Sequence, residues 1–363
     1  MTQLPSRSVI VVGGGITGLT TAVALQASGH KVTLIARDAP EDTASGVAAG
    51  MIAPAMEAMN EPDPAFSYQR LRNAQQAWRE GIELWPPRLR FLWQFAQEEG
   101  HSYFIWPENE GDGPPDRLVM TGAELQVVSA ETRKWLNLQP ELQILRVMDD
   151  GRVPALHLLK EFEAHFLVSG GNLIRGEVYG VEAKRVRVRH GGWVNADQVV
   201  IAAGYGAYGL RHPVPVLKKL SPIKGHLLDL SQITNPVVLR STKGYLVGGS
   251  TGGAFGATMQ AGRADLDIEP AVVADLKGRA KTLFPDLELD KAVPRTGIRA
   301  STPDGWPLIG RDPASGVLVA TGMRRNGYVF APMAAKIILA LVEGRESPDG
   351  GIYRPDRFRN PEN

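Results

Sequence analysis

The first residues that carry chemistry are Gly13-Gly14-Gly15-Ile16-Thr17-Gly18, a Gly-x-Gly-x-x-Gly run. It is entered from Val9-Ile10-Val11-Val12 and left through Leu19-Thr20-Thr21-Ala22-Val23-Ala24-Leu25. A strand, a tight turn and a helix N-terminus in that order aim backbone amides at a pyrophosphate. Gly13 permits the turn, Gly15 lets N–H groups approach the phosphates, and Gly18 lets the helix lie close on the strand, with Ile16 and Thr17 in the same binding turn. Glycine spacing alone is weak in a chain of 363 residues with 40 glycines, so the flanking strand and helix carry the assignment. About 20 residues on, where an acidic residue ordinarily holds the ribose hydroxyls, stands Ala36, followed by Arg37-Asp38. Either Asp38 takes the ribose one turn late, or Arg37 marks a 2′-phosphate and hence NADP.

Other chemistry is excluded by composition. Zero cysteines rule out disulfides, thiolate catalysis and cysteine-tethered cofactors. The seven histidines are scattered without metal-site spacing. Forty basic against thirty-nine acidic side chains give no field that would favour nucleic acid. No run of about 18 apolar residues is present to span a bilayer. The first strand begins at Val9, too early for a signal peptide. The expectation is a cytoplasmic, homo-oligomeric protein of two domains.

The elements that position the motif follow from periodicity. Lys31–Ile35 reads as the second strand of a βαβ unit. A run of small residues, Thr43 to Pro54, is too apolar for a solvated loop and suits backbone wound around a planar ligand. Residues 64–97 read as helical; Trp85, Trp93, Tyr103, Phe104 and Trp106 read as packing for a second lobe, and 107–115 as a turn-rich loop. A helix over 158–167 precedes a strand, 172–178, and a hairpin, 181–194. Ala196–Gly204 reads as a buried parallel strand ending in a small-residue turn. Strands at 245–250 and 256–259, a helix over 270–283, a buried strand at 317–322 and a last helix over 331–342 complete the chain.

The glycine motif, the Val47-Ala48-Ala49-Gly50-Met51-Ile52 segment, Ser221-Pro222-Ile223-Lys224-Gly225-His226 and the run Gly297-Ile298-Arg299 through Asp304-Gly305-Trp306-Pro307-Leu308-Ile309-Gly310 together resemble the D-amino acid oxidase and glycine oxidase family. The resemblance covers nearly the whole chain and is thinnest over 85–146. It implies an α/β (α+β overall) fold. A Rossmann-like FAD-binding domain of the two-dinucleotide-binding type takes residues 1–75, 147–215 and 295–363. A mostly antiparallel substrate domain takes 76–146 and 216–294. It implies non-covalent FAD rather than NADP, held by the glycine motif, Arg37, Asp38, Ser45, Ala48, Ala49, Gly50, Met51, Val178, Ala203, Gly204, Arg299, Arg325, Asn326, Gly327 and Tyr328. The Trp-Ser pair often found after the position of Gly204 is replaced by Tyr205-Gly206.

The chemistry implied is hydride transfer from a small amino acid to flavin N5, with dioxygen giving hydrogen peroxide. The alternatives are a dehydrogenase passing electrons to a quinone or carrier, and an oxidase of a larger amine. Arg299 matches the family's carboxylate-binding arginine, a role suited to a planar guanidinium. Tyr245 matches a tyrosine bonding the same carboxylate, and Met259 a pocket wall at a strand position. Arg325 is expected to accept from the substrate amine through its backbone carbonyl. No histidine is assigned a role.

Overall fold

The computed structural model describes residues 5–81, 101–107 and 113–358. Ser8–Val12 is the central strand of a six-stranded sheet whose order is Leu308–Arg311, Leu318–Thr321, Gln198–Ile201, Ser8–Val12, Lys31–Ala36, Asn172–Arg175. All neighbours are parallel except the edge strand Leu308–Arg311. Val9 to Val12 are buried on both faces, which is why the strand is continuously apolar instead of alternating. The helix Ile16–Ala27 lies against the sheet and against the last helix, Gly327–Val342, itself apolar on most of its circumference. The N-termini of both helices point toward the same end of the sheet, because each follows a parallel strand through a short turn.

The second sheet has nine strands and pivots on Ser221–Leu230. One edge of that strand pairs with Val293–Ser301 from Ser221↔Ser301 to Asp229↔Val293. Its other edge takes Gln260–Ala261 and then Gly253–Gly256. Beyond these come Gly244–Gly248, Val237–Ser241, Ser102–Pro107, Leu142–Val147 and Leu125–Val127. Only the pairing of Val237–Ser241 with Ser102–Pro107 is parallel. The helix Pro270–Leu283 covers one face, burying Leu276, Ala280 and Leu283 against Leu228, Leu239 and Phe255. Leu227, Val238, Val247 and Ala254 alternate to the opposite face and meet Ala49. That second face is the one turned toward the first sheet.

Several expectations shift in detail. The strand Val293–Ser301 straddles the boundary drawn at residue 295 and belongs to the substrate sheet along its whole length. The hairpin over 181–194 is a three-stranded meander, Val178–Glu182, Arg185–Val188 and Gly192–Asn195, so the strand starting at Asn172 ends at Arg175. The last helix begins at Gly327, four residues before the expected start, because the turn is completed by Asn326. The helix starting at Pro64 runs to Glu80, and the rest of the expected helical stretch, 82–97, lies outside the described residues. Trp85 and Trp93 lie outside the described residues. Tyr103 and Phe104 are buried, and Trp106 stacks on Phe104 at 5.8 Å. Within the expected loop, Gly113–Val119 is a helix. Among the described residues no helix is long and apolar enough to cross a membrane, and no three histidine or acidic side chains group as a metal site.

Candidate active site

A cleft of ≈ 870 Å³ runs along the C-terminal ends of the parallel strands. Gly13, Gly15, Ile16 and Thr17 form its floor, and Arg37, Asp38 and Val178 close one end. Gly13 has φ +121°, and a Cβ there would stand 2.4 Å from the carbonyl oxygen of Ala202. A Cβ on Gly18 would stand 1.9 Å from the Gly13 oxygen, so Gly18 serves packing and does not line the cleft. The first helix has no side-chain cap at Gly15. Ser45 Oγ accepts the Ile16 amide at 3.1 Å, which ties the small-residue segment to the turn.

Where the ribose acid is expected, Ala36 is buried, and a Cβ on Gly14 would lie 2.8 Å from its methyl group, so the strand end and the glycine turn pack closely there. Arg37 is forked onto Asp38, with Nε–Oδ1 and Nη2–Oδ2 both 2.8 Å. The two candidates thus form one ion pair at the rim.

At its other end the cleft reaches Arg299, Arg325, Gly327 and Tyr328 and opens into a second cavity of ≈ 260 Å³. Ala49, Gly50 and Met51 line this second cavity and not the dinucleotide cleft; Ala48 lines both. Tyr328 donates its hydroxyl to the Ser45 carbonyl at 2.8 Å, joining the last helix to the Ala-rich segment. Asn326 lines neither space. It precedes the last helix without capping it, and its buried Oδ1 has no hydrogen-bond partner. A glycine-walled turn and a helix N-terminus whose first residue carries no capping side chain of its own fit a dinucleotide laid along this cleft.

Arg299 stands where the two spaces meet. Its Nη1 donates to the Thr258 carbonyl at 3.2 Å, and no carboxylate among the described residues pairs with it. Burial lowers its pKa, the direction expected of a guanidinium without a counter-ion. Tyr245 faces the same cavity, its pKa raised by burial, so the phenol stays a donor. A Cβ on Gly225 would fall 2.1 Å from Arg299 Nη1, so the guanidinium lies flat on a backbone that only glycine leaves bare. Gly225→Ala is expected to displace the guanidinium and raise KM for a carboxylate substrate by at least about tenfold. Flavin content should be unchanged, since Gly225 lines only the smaller cavity. An unaltered KM would show that Arg299 has slack.

Met259 lies in the connection before Gln260–Ala261 instead of on a strand, half-exposed, with its sulfur 3.8 Å from Arg325 Nη1. The Arg325 side chain is spent on Glu57 and on Glu61, the latter at 3.3 Å, while burial lowers its pKa to about 10. Glu57 and Arg240 escape a reading of the sequence. Glu57 sits buried on the helix Pro54–Ala58 and also pairs with Arg240 Nη1 at 2.6 Å. A lone glutamate in Ala-Pro-Ala-Met-Glu-Ala-Met and a lone arginine in Val-Val-Leu-Arg-Ser are the available signals.

Asp150 fixes the helix that carries Glu57, accepting the Ala55 and Met56 amides at 2.8 and 2.9 Å. Burial nevertheless lifts its carboxyl from an ordinary 3.8 to about 7. Between those values the folded chain keeps a proton that the unfolded chain has released. Its contribution to stability is therefore complete below the lower value and falls as pH rises through the window. Tm measured across that window should decline with pH, and Asp150→Asn should flatten the slope while lowering Tm overall.

Lys224, part of the Ser221–His226 run that carries the resemblance, is fully buried and reaches Asp265 at 2.5 Å and Glu269 at 3.1 Å, a pairing the sequence does not report. It ties down the loop whose Ala264 and Leu266 wall the dinucleotide cleft. His226 donates its backbone amide to Thr258 Oγ1 at 2.8 Å, and its Nε2 accepts the Glu269 amide at 3.3 Å. Burial lowers its pKa, so the ring stays neutral and occupied.

A family model described as FAD dependent oxidoreductase (DAO) matches residues 8–341. The chain belongs to that family and is an FAD-dependent oxidoreductase. It is 28% identical over 365 residues to a glycine oxidase of Geobacillus kaustophilus (strain HTA426), with 93% of each chain covered. A D-amino acid dehydrogenase of Cereibacter sphaeroides (strain ATCC 17029 / ATH 2.4.9) is 25% identical, with 97% of each covered. The bifunctional protein ThiO/ThiG of Trichormus variabilis is 27% identical over 98% of this chain but only 55% of its own length, so the chain spans about half of that relative. The crystal structure of glycine oxidase from Geobacillus kaustophilus superposes with a TM-score of 0.81 at 24% identity, covering 98% of this chain and 100% of that one. This last likeness establishes the fold.

Proposed function

We propose that this protein oxidises the amine of a small α-amino acid, with glycine, sarcosine and short D-amino acids as the candidate substrates. Dioxygen is the terminal electron acceptor and hydrogen peroxide the co-product. The imino acid hydrolyses in water to a 2-oxo acid and ammonia, or to the corresponding amine when the substrate is N-substituted. The observation that carries this reading is Arg299, a buried guanidinium without a counter-ion among the described residues, at the junction of the dinucleotide cleft and the smaller cavity. A planar cation in that position suits a planar carboxylate.

Bound FAD supplies the hydride acceptor. The residues of this chain bind and aim. Arg299 and the protonated Tyr245 hold the carboxylate, and the Arg325 backbone carbonyl accepts from the amine. Fixing two groups of one carbon leaves a single α-hydrogen facing the cleft, which is the origin of stereoselectivity. Met259 limits the room for a side chain. The neutral His226, already bonded on Nε2, serves no proton transfer; the amine reacts in its unprotonated form. FAD is non-covalent in this reading: the chain has no cysteine, and no histidine lines the dinucleotide cleft.

A screen of glycine, sarcosine and paired D- and L-amino acids, read first as peroxide and then with an artificial acceptor, tests the proposal. Peroxide from glycine or D-isomers supports it. Peroxide from L-isomers alone contradicts the site, and turnover only with the artificial acceptor makes the protein a dehydrogenase.

A further inference from the structure

The smaller cavity is far more cationic than one substrate carboxylate requires. Arg240, Lys243, Arg279, Arg299 and Arg325 line it, and Glu57 is the one acidic side chain among its lining residues. Arg299 and Arg325 also line the dinucleotide cleft; Arg240, Lys243 and Arg279 do not. The cavity therefore has two ends, with Arg299 at the cofactor end and the other three basic residues away from it.

At the distal end one buried donor lacks a partner among the described residues. It is not on Arg240, whose Nη1 is held 2.6 Å from Glu57. Glu57 is shared with Arg325, so one carboxylate serves two guanidiniums. Arg279 pairs through Nη2 with Asp275 at 2.9 Å and donates through Nη1 to the Lys243 carbonyl at 3.2 Å. Its Nε is buried with no partner. A buried donor left unpaired is a cost that a ligand oxygen removes. Strand register aligns the wall: Arg240 pairs directly across from Tyr245, so both project to the same face.

The geometry points to a substrate with a second anionic group, an amino acid whose side chain ends in a carboxylate, seated between Arg240 and Arg279 while its α-carboxylate occupies Arg299. This rests on the proposed assignment of Arg299. It deepens that reading by choosing, among small amino acids, the acidic ones. The cavity volume of ≈ 260 Å³ leaves space beyond a bare glycine skeleton.

The experiment separates charge from size. Holoenzyme is assayed with D-aspartate against D-asparagine and D-glutamate against D-glutamine, pairs of nearly equal shape. In parallel, succinate and butyrate are titrated into it and followed by the flavin absorbance band, a readout that needs no turnover. Expected is a preference of about tenfold to a hundredfold for the acidic member in kcat/KM, and for succinate over butyrate in Kd. Arg279→Gln should shrink both ratios toward unity. Arg279→Lys, which keeps the charge, should retain part of them; a purely structural Arg279 would change stability and leave both ratios intact. Equal use of the acidic and amide substrates, or equal binding of succinate and butyrate, overturns the inference while leaving the α-carboxylate site standing. Absence of turnover with any amino acid, combined with tight succinate binding, overturns the oxidase reading and keeps the anionic subsite.

Discussion

Arg299→Ala loses roughly 2–5 kcal/mol of transition-state stabilisation, about one and a half to more than three decades in kcat/KM. The size follows from the surroundings. The guanidinium sits on the bare backbone of Gly225, hydrogen-bonded to the Thr258 carbonyl, with no carboxylate among the described residues to share it. Nothing else in the junction replaces it, because Arg325 is committed to Glu57 and Glu61. Arg299→Lys recovers only part, since an ammonium cannot present two parallel donors. Steady-state kinetics with the best substrate check this, alongside the flavin spectrum to show that the cofactor remains bound. Unchanged kinetics in Arg299→Ala would transfer the carboxylate site to another cation.

Gly13→Ala is expected to abolish stable FAD binding. An L side chain at φ +121° is strained, and its Cβ would stand 2.4 Å from a backbone carbonyl on the neighbouring strand. Backbone cannot step aside as a flexible side chain can. The turn must open, which moves the Gly15–Thr17 amides off the pyrophosphate. Strain of about 1–3 kcal/mol alone weakens affinity on the order of tenfold to a hundredfold, and the clash adds to it. Gly29→Asn is the control. Gly29 lines neither space and has φ +86° with open space around its Cβ position, a conformation that asparagine tolerates. Flavin retained by Gly13→Ala, measured as absorbance per protein, would contradict this account of the turn.

The cofactor half of the molecule is legible in the sequence because its signals are local. Val9 to Val12 and the glycines after them are contiguous; the strand starts one residue before the expected Val9, at Ser8, and the helix three before the expected Leu19, at Ile16. The small-residue segment reads as backbone winding close to a ligand. In the structure its Ala48 faces both spaces, while Ala49 to Met51 face the smaller one. The charged network is not legible. Glu57, Arg240 and Arg325 are 268 residues apart at the extremes and meet only because two sheets face each other. Glu57 and Arg240 are each a lone charge in an apolar window, and Arg325 is read from sequence only for its backbone carbonyl, so nothing local reports that the three pair. The pairing of Lys224 with Asp265 and Glu269 is hidden for a related reason: a strand lysine meeting two loop carboxylates some forty residues on leaves no periodicity in sequence. The absence of an acid at Ala36 leaves two cofactors open from spacing alone, and the pairing of Arg37 with Asp38 in the structure is equally invisible there.

The central claim is that the site recognises an amino acid through its carboxylate. Anaerobic mixing of the holoenzyme with D-alanine or glycine, and separately with ethylamine or methylamine, tests it most directly through the loss of oxidised-flavin absorbance. This reads reduction without depending on the electron acceptor. The account predicts that the amino acids bleach the flavin and that the amines lacking a carboxylate do so far more slowly, with the difference largely lost in Arg299→Ala. Equally fast bleaching by the simple amines, or a difference untouched by Arg299→Ala, would contradict it.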